Sequence, residues 1–422
     1  MKNQQKILVL GIGQSNFLDQ LYGEVRKRSD EFLFSIDGYK DISSGKVQNE
    51  QVEYFNYFNF KSLRIGKPDL MISFLNFAMT SFFWEILFFE ISQKNKIKKI
   101  FLLFKNYNRA RYIAVKKINP LGYDIYHFHF CIPENLMYLH FLPNSSKIIC
   151  SFWGSDLMRV TGVSNVFYVS KALKKATNVT IQTMEMAEML YCKYGRDLKS
   201  KLKTLVFTVH PEIYSKIDTF AADHEEIQRF KLVYQIPIDH YVVALGHNGF
   251  EENNHIQMME QLETLPETLK SKITFLVHMS YGGSAVYKKQ LTKKIEDCKL
   301  NIVAVHDYLE PEQMAKLRVL TDVLVQMPVS DALSAAMTEV LYAGNLVIAG
   351  SWLPYGILRR HGINYTEVTD FSELPKTLEF LIQNLDKSKL EITDNTSNIQ
   401  KFLSIERTSR EWISLFNNTA SA

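Results

Sequence analysis

Residues 329–350, VSDALSAAMTEVLYAGNLVIAG, decide the fold class of the second half of the chain. A polar stretch around Asp331 precedes a helix-length run of small and apolar residues, and a glycine and the apolar segment NLVIAG follow it. Because aspartate and serine cap the beginnings of helices and glycine ends them, this pattern is typical of a turn, a helix and a buried strand. Residues 322–328, DVLVQMP, are also typical of a strand, so the whole stretch predicts one βαβ unit of a parallel sheet.

The same alternation of short apolar runs and helix-length segments extends along the chain and is typical of parallel α/β sheets. The predicted strands are residues 6–13, 123–130, 146–154, 177–183 and 202–214 in the first half, and 240–249, 272–283, 301–309, 322–328 and 345–351 in the second. A chain of 422 residues is long for a single hydrophobic core. We therefore predict two domains, residues 1–215 and 216–397, with the C-terminal segment 398–422 packing back on the first.

Composition and charge exclude several classes of protein. Hydrophobic residues make up 46% of the chain and charged residues 22%, which is typical of a globular protein rather than a disordered one. The formal net charge of +4 is too small to indicate a nucleic-acid partner. The four cysteines have neither metal-ligand nor disulfide-framework spacing, so we expect no metal site and a reducing, cytoplasmic location. The apolar run near the N-terminus is too short for a signal peptide, so we expect no export.

One segment of the first half indicates a membrane surface. Residues 94–117 contain nine Lys or Arg and no acidic residue, and they follow residues 70–89, which are apolar at 15 of 20 positions. Anionic headgroups attract such basic segments, and interleaved aromatic side chains insert at the interface. We therefore predict a peripheral protein on the inner face of the cell membrane, with Phe101, Phe104 and Tyr107 at the interface. The alternative is a solvated basic helix whose aromatic residues pack in the core of the first domain.

The 329–350 stretch also contains candidate ligand-binding residues. Asp331 precedes the predicted helix and Ser334 lies at its beginning, where free backbone N–H groups form a site for an anion such as a diphosphate. Glu339 lies deeper in the helix and can accept hydrogen bonds from a ribose. The alternative is an ordinary capped helix in an α/β sheet.

Two acidic residues separated by seven others and followed by LYAGNLVIAGS resemble the signature EGFGLxxLEAMAxGxPVIA of retaining glycosyltransferases. Asp331 takes the place of the first glutamate of that signature, and ALSAA replaces its glycine-containing turn. Glu339 takes the place of the second glutamate, which binds the ribose in that family. The resemblance implies a GT-B fold, in which two Rossmann-like domains face each other across a cleft and the C-terminal one binds the donor.

Further strings most closely resemble bacterial 4-acetamido-4,6-dideoxygalactose (Fuc4NAc) transferases. They are GHNGFEENNHI at 246–256, HMSYGGSAVYKKQL at 278–291 and ICSFWGSDLMR at 149–159. The first lies where many GT-B enzymes carry an Arg and a Lys for the diphosphate, and this chain has neither there. The second contains a Gly-Gly pair before a predicted helix, which lets the backbone approach a ligand closely. The resemblance implies donor contacts from Gly246, Asn248, Tyr281, Gly282 and Gly283, in addition to Ser334 and Glu339.

The first-domain candidates lie at the carboxyl ends of predicted strands, where open α/β sheets bind ligands. Trp153 would line the acceptor site. Asp156 would orient or deprotonate an acceptor hydroxyl, and its alternative is a helix cap. His127 alternates with His129 on a strand and is the candidate to face the cleft. Gly13 lies in a strand–loop turn without a complete dinucleotide-binding glycine motif.

Taken together, the resemblance implies a retaining, metal-independent glycosyltransferase of bacterial surface polysaccharide synthesis. The expected donor is a nucleotide-sugar, UDP- or dTDP-linked in preference to GDP-linked, and the expected acceptor is a glycan or a polyprenyl-linked sugar. The catalytic candidates are Asp156, His247 and Asp331, with His247 or Lys288 as the positive partner of the leaving group. We expect no cofactor. Two alternatives stay open: a two-domain nucleotide-sugar epimerase, and a non-catalytic subunit that binds sugar nucleotides.

Overall fold

The computed structural model describes residues 4–12, 16–38, 55–207 and 211–421. It divides into two compact units, the first formed by Met1–Phe207 with Thr408–Ala422 and the second by Thr208–Arg407. Residues 211–215, which the sequence analysis assigned to the first domain, therefore belong to the second. They begin a helix, Pro211–Ala221, that packs on other helices of the second unit and does not continue the predicted strand 202–214.

The strands alternate with helices along the chain. The strands are β1 Gln5–Leu10, β2 Phe32–Asp37, β3 Phe55–Phe58, β4 Ile125–His129, β5 Lys147–Ser151, β6 Asn178–Ile181, β7 Leu202–Thr204, β8 Tyr241–Leu245, β9 Ile273–His278, β10 Ile302–Val305, β11 Val323–Gln326, β12 Leu346–Gly350 and β13 Thr366–Val368. The sequence predicted ten of these thirteen and missed β2, β3 and β13.

The helices lie between the strands and at the C-terminus. They are α1 Asn16–Arg28, α2 Lys67–Ala78, α3 Ser81–Ser92, α4 Ile97–Ile113, α5 Pro133–Leu136, α6 Ser155–Met158, α7 Val163–Lys175, α8 Glu185–Tyr194, α9 Pro211–Ala221, α10 His224–Val233, α11 His255–Leu262, α12 Glu267–Lys270, α13 Ala285–Asp297, α14 Pro311–Leu320, α15 Ala335–Tyr342, α16 Gly356–Arg360, α17 Leu374–Gln383, α18 Leu385–Leu390, α19 Asn395–Phe402 and α20 Ile405–Ser421. Short 3₁₀ and π turns lie at Phe60–Ser62, Ala114–Ile118, Asn119–Leu121, Met137–Phe141, Arg196–Lys201, Glu251–Asn253 and Phe371–Glu373.

Each unit contains one parallel sheet. The first sheet has the strand order β3-β2-β1-β4-β5-β6-β7, and the second has the order β10-β9-β8-β11-β12-β13. Every neighbouring pair described in both sheets is parallel. In both sheets the direction of winding reverses once, between β1 and β4 in the first and between β8 and β11 in the second. The prediction of two parallel α/β sheets is therefore confirmed, and the carboxyl ends of the strands at such a reversal are where open α/β sheets bind ligands.

The C-terminal helix α20 completes the core of the first unit. Trp412 is fully buried, and its indole N–H donates to the carbonyl oxygen of Val206 at 3.0 Å. Phe416 packs against Tyr22 and Phe34 in the same core. Because the apolar residues of this helix pack in the core of the first unit, residues Thr408–Ala422 belong to that unit and not to the second.

Candidate functional site

The candidate donor site begins at the winding reversal of the second sheet, where β8 and β11 are neighbours. Gly246 follows β8, has a φ of +65°, and its N–H donates to the carbonyl oxygen of Val325 on β11 at 2.9 Å. A Cβ at this position would lie 3.0 Å from the side chains of Asn253 and His255. Only glycine therefore fits this sharp turn, which directs the following residues, His247 and Asn248, to the carboxyl edge of the sheet.

The loop after β9 lies directly against the loop after β8. The N–H of Gly249 donates to the carbonyl oxygen of Tyr281 at 2.8 Å. Gly282 and Gly283 both have a positive φ, and a Cβ on Gly283 would lie 2.0 Å from the carbonyl oxygen of Gly249. The structure thus brings together the donor-binding candidates from two strings that are more than thirty residues apart in the sequence.

Asn248 organises the first of these loops. Its side chain is buried, and its Oδ1 accepts hydrogen bonds from the backbone N–H of Phe250 at 3.0 Å and from Nδ2 of Asn253 at 2.6 Å. The Asn248 carbonyl group is therefore engaged within the loop, while Tyr281 stays about half exposed beside it.

A chain of hydrogen bonds joins His247 to Asp331. The Nδ1 of His247 lies 3.2 Å from Oε1 of Gln326, an oxygen that can only accept, so Nδ1 carries the hydrogen. The hydroxyl of Tyr355 donates to Oδ2 of Asp331 at 2.8 Å, and Nε2 of Gln326 lies 3.5 Å from the same oxygen. The remaining oxygen of Asp331 accepts from the N–H of Ala332 at 2.8 Å. These contacts fix the imidazole of His247 with Nε2 as its free acceptor.

The protonation of His247 differs from the expectation. Burial lowers the pKa of His247, and the negative charge of Asp331 offsets this only in part. His247 is therefore neutral near pH 7 in the ligand-free chain, and Lys288, the other predicted partner of the leaving group, is the one that is already charged.

Glu339 lies on α15, whose beginning is capped by Ser334. The hydroxyl oxygen of Ser334 accepts from the N–H of Met337 at 3.2 Å. Glu339 is almost fully buried, and its Oε2 accepts from Nε of Arg318 at 2.8 Å. Glu339, which is predicted to bind the ribose, therefore has one of its two carboxylate oxygens in a buried ion pair with Arg318.

Arg318 is the residue that sequence reasoning missed. It lies on α14, 21 residues before its partner Glu339, and only 6% of it is exposed. Burial and, to a smaller extent, the positive charge of Arg318 together lower the pKa of His278 to about 4, so the guanidinium lies close enough to act on this imidazole. The sequence offered no signal for this arginine, because it lies in an ordinary helix outside every motif.

A second cation approaches the glycine loops. Nζ of Lys288, on α13, lies 3.3 Å from the carbonyl oxygen of Met279, and its Cε is 3.3 Å from where a Cβ of Gly249 would be. Arg318 and Lys288 thus supply, from two helices, the kind of cations that are missing after β8. Within residues 4–12, 16–38, 55–207 and 211–421, no group of three or more His, Cys, Asp or Glu could hold a metal ion.

His278 stays neutral because of its position in the site. Its Nδ1 lies 2.8 Å from the carbonyl oxygen of His247 and so donates to it, and its Nε2 lies 2.9 Å from the hydroxyl of Ser280. Burial lowers the pKa of this imidazole to about 4, against an ordinary value of 6.5. Since the unfolded chain binds the proton more readily, the stabilisation is complete above pH 6.5 and is lost as the pH falls towards 4.

We expect His278→Asn to flatten the pH dependence of unfolding. Between about pH 7.5 and pH 5, the loss of stability should shrink by about 2 kcal/mol relative to the unsubstituted chain, because asparagine donates to the same carbonyl group without titrating. Urea unfolding at the two pH values measures this. His224→Asn, at the beginning of α10 on the exposed surface, is the control. Equal pH dependence in the His278→Asn variant and the unsubstituted chain would contradict the assignment.

The structure contradicts the catalytic prediction for Asp156. Its side chain is 0% exposed, and its carboxylate accepts hydrogen bonds from four backbone N–H groups. The donors, at 2.7 to 3.1 Å, are those of Cys131, Trp153, Gly154 and Leu157. Burial raises the pKa of Asp156 to about 6, so the carboxylate is still charged near pH 7. Asp156 therefore ties together the segments that follow β4 and β5, and its complete burial separates it from an acceptor hydroxyl.

His127 is likewise an interior residue and not an acceptor ligand. His127 and His129 are both 0% exposed, and the hydroxyl of Tyr22 lies between them, at 2.8 Å from Nδ1 of His127 and 2.6 Å from Nε2 of His129. Burial lowers the pKa of both histidines, that of His129 to about 3. The pair is therefore a neutral, fully hydrogen-bonded part of the core.

Trp153 is the first-domain candidate that remains at the surface. Its indole N–H donates to Nδ1 of His129 at 3.1 Å, which holds the ring, and the exposed Phe17 packs edge-on against it with centroids 5.9 Å apart. The half-buried indole and Phe17 form an aromatic surface at the carboxyl edge of the first sheet. Gly13 lies outside the residues that the structure describes.

The comparisons with known proteins give matches in structure only. No protein-family model matches the chain, and no curated protein matches its sequence. A glycosyltransferase from Rickettsia africae ESF-5 matches with a TM-score of 0.71 and 14% identity over 99% of both chains. HepE (Alr3699) of Anabaena, in complex with UDP and glucose, matches with a TM-score of 0.65 and 11% identity, over 99% of this chain and 100% of that one.

A third similar structure is an α,α-trehalose-phosphate synthase (UDP-forming) from Burkholderia vietnamiensis. It matches with a TM-score of 0.67 and 10% identity, over 99% of this chain and 98% of that one. Because the matches extend over nearly the whole length of each chain, they include both Rossmann-like units and their connection. The chain therefore has the GT-B fold.

Proposed function

We propose that this protein is a glycosyltransferase that binds a nucleotide-sugar at the carboxyl edge of its second sheet. The observation that carries the proposal is the convergence of two glycine loops, the beginning of α15 and two cations at one winding reversal. Backbone N–H groups and cations are the partners that a diphosphate requires. HepE of Anabaena, which shares the fold, is a complex with UDP and glucose, which supports a UDP-linked donor here.

The donor would be held at three points. The loops after β8 and β9, which the close packing at Gly246 and Gly283 holds in place, would contact the diphosphate, and Lys288 and Arg318 would neutralise its charge. Glu339 would accept the ribose hydroxyls with the oxygen that Arg318 does not use. Arg318 would thus bind the diphosphate and Glu339 the ribose, and their ion pair would fix the orientation of both side chains.

Transfer would break the bond between the anomeric carbon and the diphosphate oxygen and form a bond from that carbon to an acceptor oxygen. The nucleoside diphosphate leaves with the bonding electrons, and the proton of the acceptor hydroxyl passes to an oxygen of that departing diphosphate. Cations and N–H groups already in place stabilise the developing negative charge without rearrangement. Neutral His247, with Nε2 as acceptor, would bind a sugar hydroxyl, and Asp331, held by Tyr355, would orient the sugar ring.

We propose that the acceptor is a glycan or polyprenyl-linked sugar used in bacterial surface polysaccharide synthesis, at the cytoplasmic face of the membrane. The sequence resemblance to Fuc4NAc transferases supports this class and a retaining outcome, as well as a UDP- or dTDP-linked donor. Trp153 and Phe17 would stack on a sugar ring of the acceptor, since aromatic faces pack well against apolar ring surfaces.

A donor panel tests the proposed function. Purified protein is incubated with UDP-, dTDP- and GDP-linked sugars, with and without lipid-linked acceptors, and released nucleoside diphosphate is measured. We expect release from UDP- or dTDP-linked sugars that depends on the acceptor. Lys288→Gln should slow release, while Lys289→Gln on the exposed side of α13 should not. Epimerised donor without release would favour the epimerase, and tight binding without any turnover would favour the non-catalytic subunit.

A further inference from the structure

Three consecutive helices of the first unit expose an unusual amount of apolar surface. We define the apolar face by Met71 and Leu75 of α2, Trp84 and Phe88 of α3, and Ile97 and Phe101 of α4. These side chains are between 48% and 85% exposed. In each helix the two residues are four positions apart and so lie on the same side. α2 lies against both α3 and α4, and exposed apolar surface on neighbouring helices marks an interaction site.

The opposite, buried sides of the same helices pack in an apolar core that holds the helices in place. Phe77, Ile86, Phe104 and Tyr107 are buried in one cluster together with Tyr168 of α7. Phe104 and Tyr107, predicted from the sequence to lie at a membrane interface, are therefore core residues, and only Phe101 of that group is exposed. Because the core is complete without the apolar face, the exposed side chains are not needed to hold the helices in place.

Acidic groups are withdrawn from the apolar face. Glu85 pairs with Lys171 of α7. Glu90 is 1% exposed and accepts hydrogen bonds from the hydroxyl of Tyr168 at 2.6 Å and from Nδ2 of Asn95 at 2.8 Å. Residues 70–84 contain no charged residue, and the third acidic residue of these helices, Asp69, is exposed in the first turn of α2, before the apolar face begins at Met71.

Positive charge lies next to the apolar face. Lys98 and Lys105 are exposed on α4, and the exposed Leu102 lies between them at helical spacing beside Ile97 and Phe101. The whole segment 91–123 contains no acidic residue. A second copy of the chain seated on this face would bring like charges together, whereas an anionic lipid surface would match both the apolar side chains and the lysines.

We propose that the apolar face inserts into the headgroup region of an anionic bilayer, with the lysines of α4 at the lipid phosphates. None of the helices in the described part of the chain is by itself long and apolar enough to cross a membrane. Only α2 and α3 pass that test as a pair, and they are bent by 81° where they meet. Because α2 and α3 are apolar on their exposed as well as their buried sides and are bent where they meet, we place the pair in the interface and not across the bilayer. The proposal needs no donor and is independent of the proposed function.

Vesicle co-sedimentation of the full chain tests the charge requirement. We expect binding to vesicles of phosphatidylcholine with added phosphatidylglycerol and much weaker binding to phosphatidylcholine alone. Replacing Lys98, Lys99 and Lys105 together by Gln should lower the partition coefficient on the order of a hundredfold, since each lysine near the surface contributes about fivefold. The matched control replaces Lys289, Lys293 and Lys299 of the second unit, which are also exposed, and should bind as the unsubstituted chain does.

A second pair of variants tests insertion. Trp84→Gln with Phe88→Gln should abolish binding, while Phe380→Gln with Leu390→Gln, which changes similarly exposed residues of the second unit, should not. Brominated phosphatidylcholine in the anionic vesicles should quench tryptophan fluorescence, and Trp84→Phe should remove that quenching. Circular dichroism verifies that each variant is folded.

Several results would overturn the proposal. Equal binding to neutral and anionic vesicles would show that the lysines do not contribute to binding. Undiminished quenching in the Trp84→Phe variant would show that the apolar face does not contact the lipid. A concentration-dependent dimer that the Trp84 and Phe88 variant abolishes, in a chain that binds no vesicles, would assign the face to a second copy. Failure of the donor assay leaves these readouts unchanged, because none of them involves a nucleotide-sugar.

Discussion

Asp156→Ala is expected to destabilise the first unit by about 3 kcal/mol or more. The substitution leaves the buried N–H groups of Cys131, Trp153 and Gly154 without an acceptor, and each such loss costs about 1–3 kcal/mol where water cannot replace the carboxylate. The N–H of Leu157 keeps the carbonyl oxygen of Gly154 as a second acceptor. A typical domain has a total stability of about 5–15 kcal/mol, so the variant would unfold well below the denaturant concentration that the unsubstituted chain tolerates. Urea unfolding followed by circular dichroism measures the difference.

The control for this prediction is Asp30→Ala. Asp30 forms only a long surface ion pair with Arg26, at 3.6 Å, and its side chain is 97% exposed. Its loss should therefore change the stability by less than about 1 kcal/mol.

Asp156→Asn should also lose stability if Asp156 is structural, because the amide N–H₂ would face one of the backbone N–H donors. A stable Asp156→Asn variant with lower turnover and unchanged donor affinity would instead show that Asp156 acts on the acceptor hydroxyl.

Arg318→Met should have two large effects that can be separated. It leaves Glu339 as a buried, unpaired charge, which should cost about 3–5 kcal/mol of stability. If the guanidinium also binds the donor, the variant should lose a further charged hydrogen bond, which lowers donor affinity roughly 10- to 100-fold. Calorimetric donor titration and urea unfolding measure the two effects.

The double variant Arg318→Met with Glu339→Met distinguishes binding from folding. Apolar side chains of similar size should restore much of the lost stability, because no charge then remains buried and unpaired. Donor affinity should stay low, since both donor contacts are gone. Arg229→Met, which breaks an exposed pair with Glu226 on α10, should alter neither quantity. Donor binding at the original affinity by a folded double variant would make Arg318 and Glu339 purely structural.

The fold followed largely from local patterns in the sequence. The strands β4 to β6 and β8 to β12 are short apolar runs between helix-length segments, and parallel sheets buried on both faces require such runs. β3 was missed because it lies in a stretch where aromatic residues are frequent both in this strand and in the helices that follow it, so their frequency does not indicate a strand. In residues 55–104 the spacing of Phe and Tyr does not separate an alternating pattern from a helical one.

Most residues of the candidate site that the sequence predicts adjoin a strand end, and Lys288 and Glu339 lie in the helices that follow. Gly246, His247, Gly283, Asp331 and Ser334 all follow strands of the second sheet, and parallel strands bring their carboxyl ends to one edge. Their location therefore follows from the order of elements, which the sequence shows directly.

What only the tertiary structure decided is which partner each polar side chain meets. Arg318 reaches Glu339 from another helix, and Asp156 collects N–H groups from the segments after two strands. His127 looked like a ligand but is enclosed by Tyr22 and Ser151. Hydrophobic periodicity is set by neighbours in the sequence, whereas the burial, charge state and hydrogen bonds of a polar group depend on residues far away along the chain. The sequence by itself therefore determined the two sheets and the edge where the candidate site residues lie, and the packing between elements determined which side chains are available there.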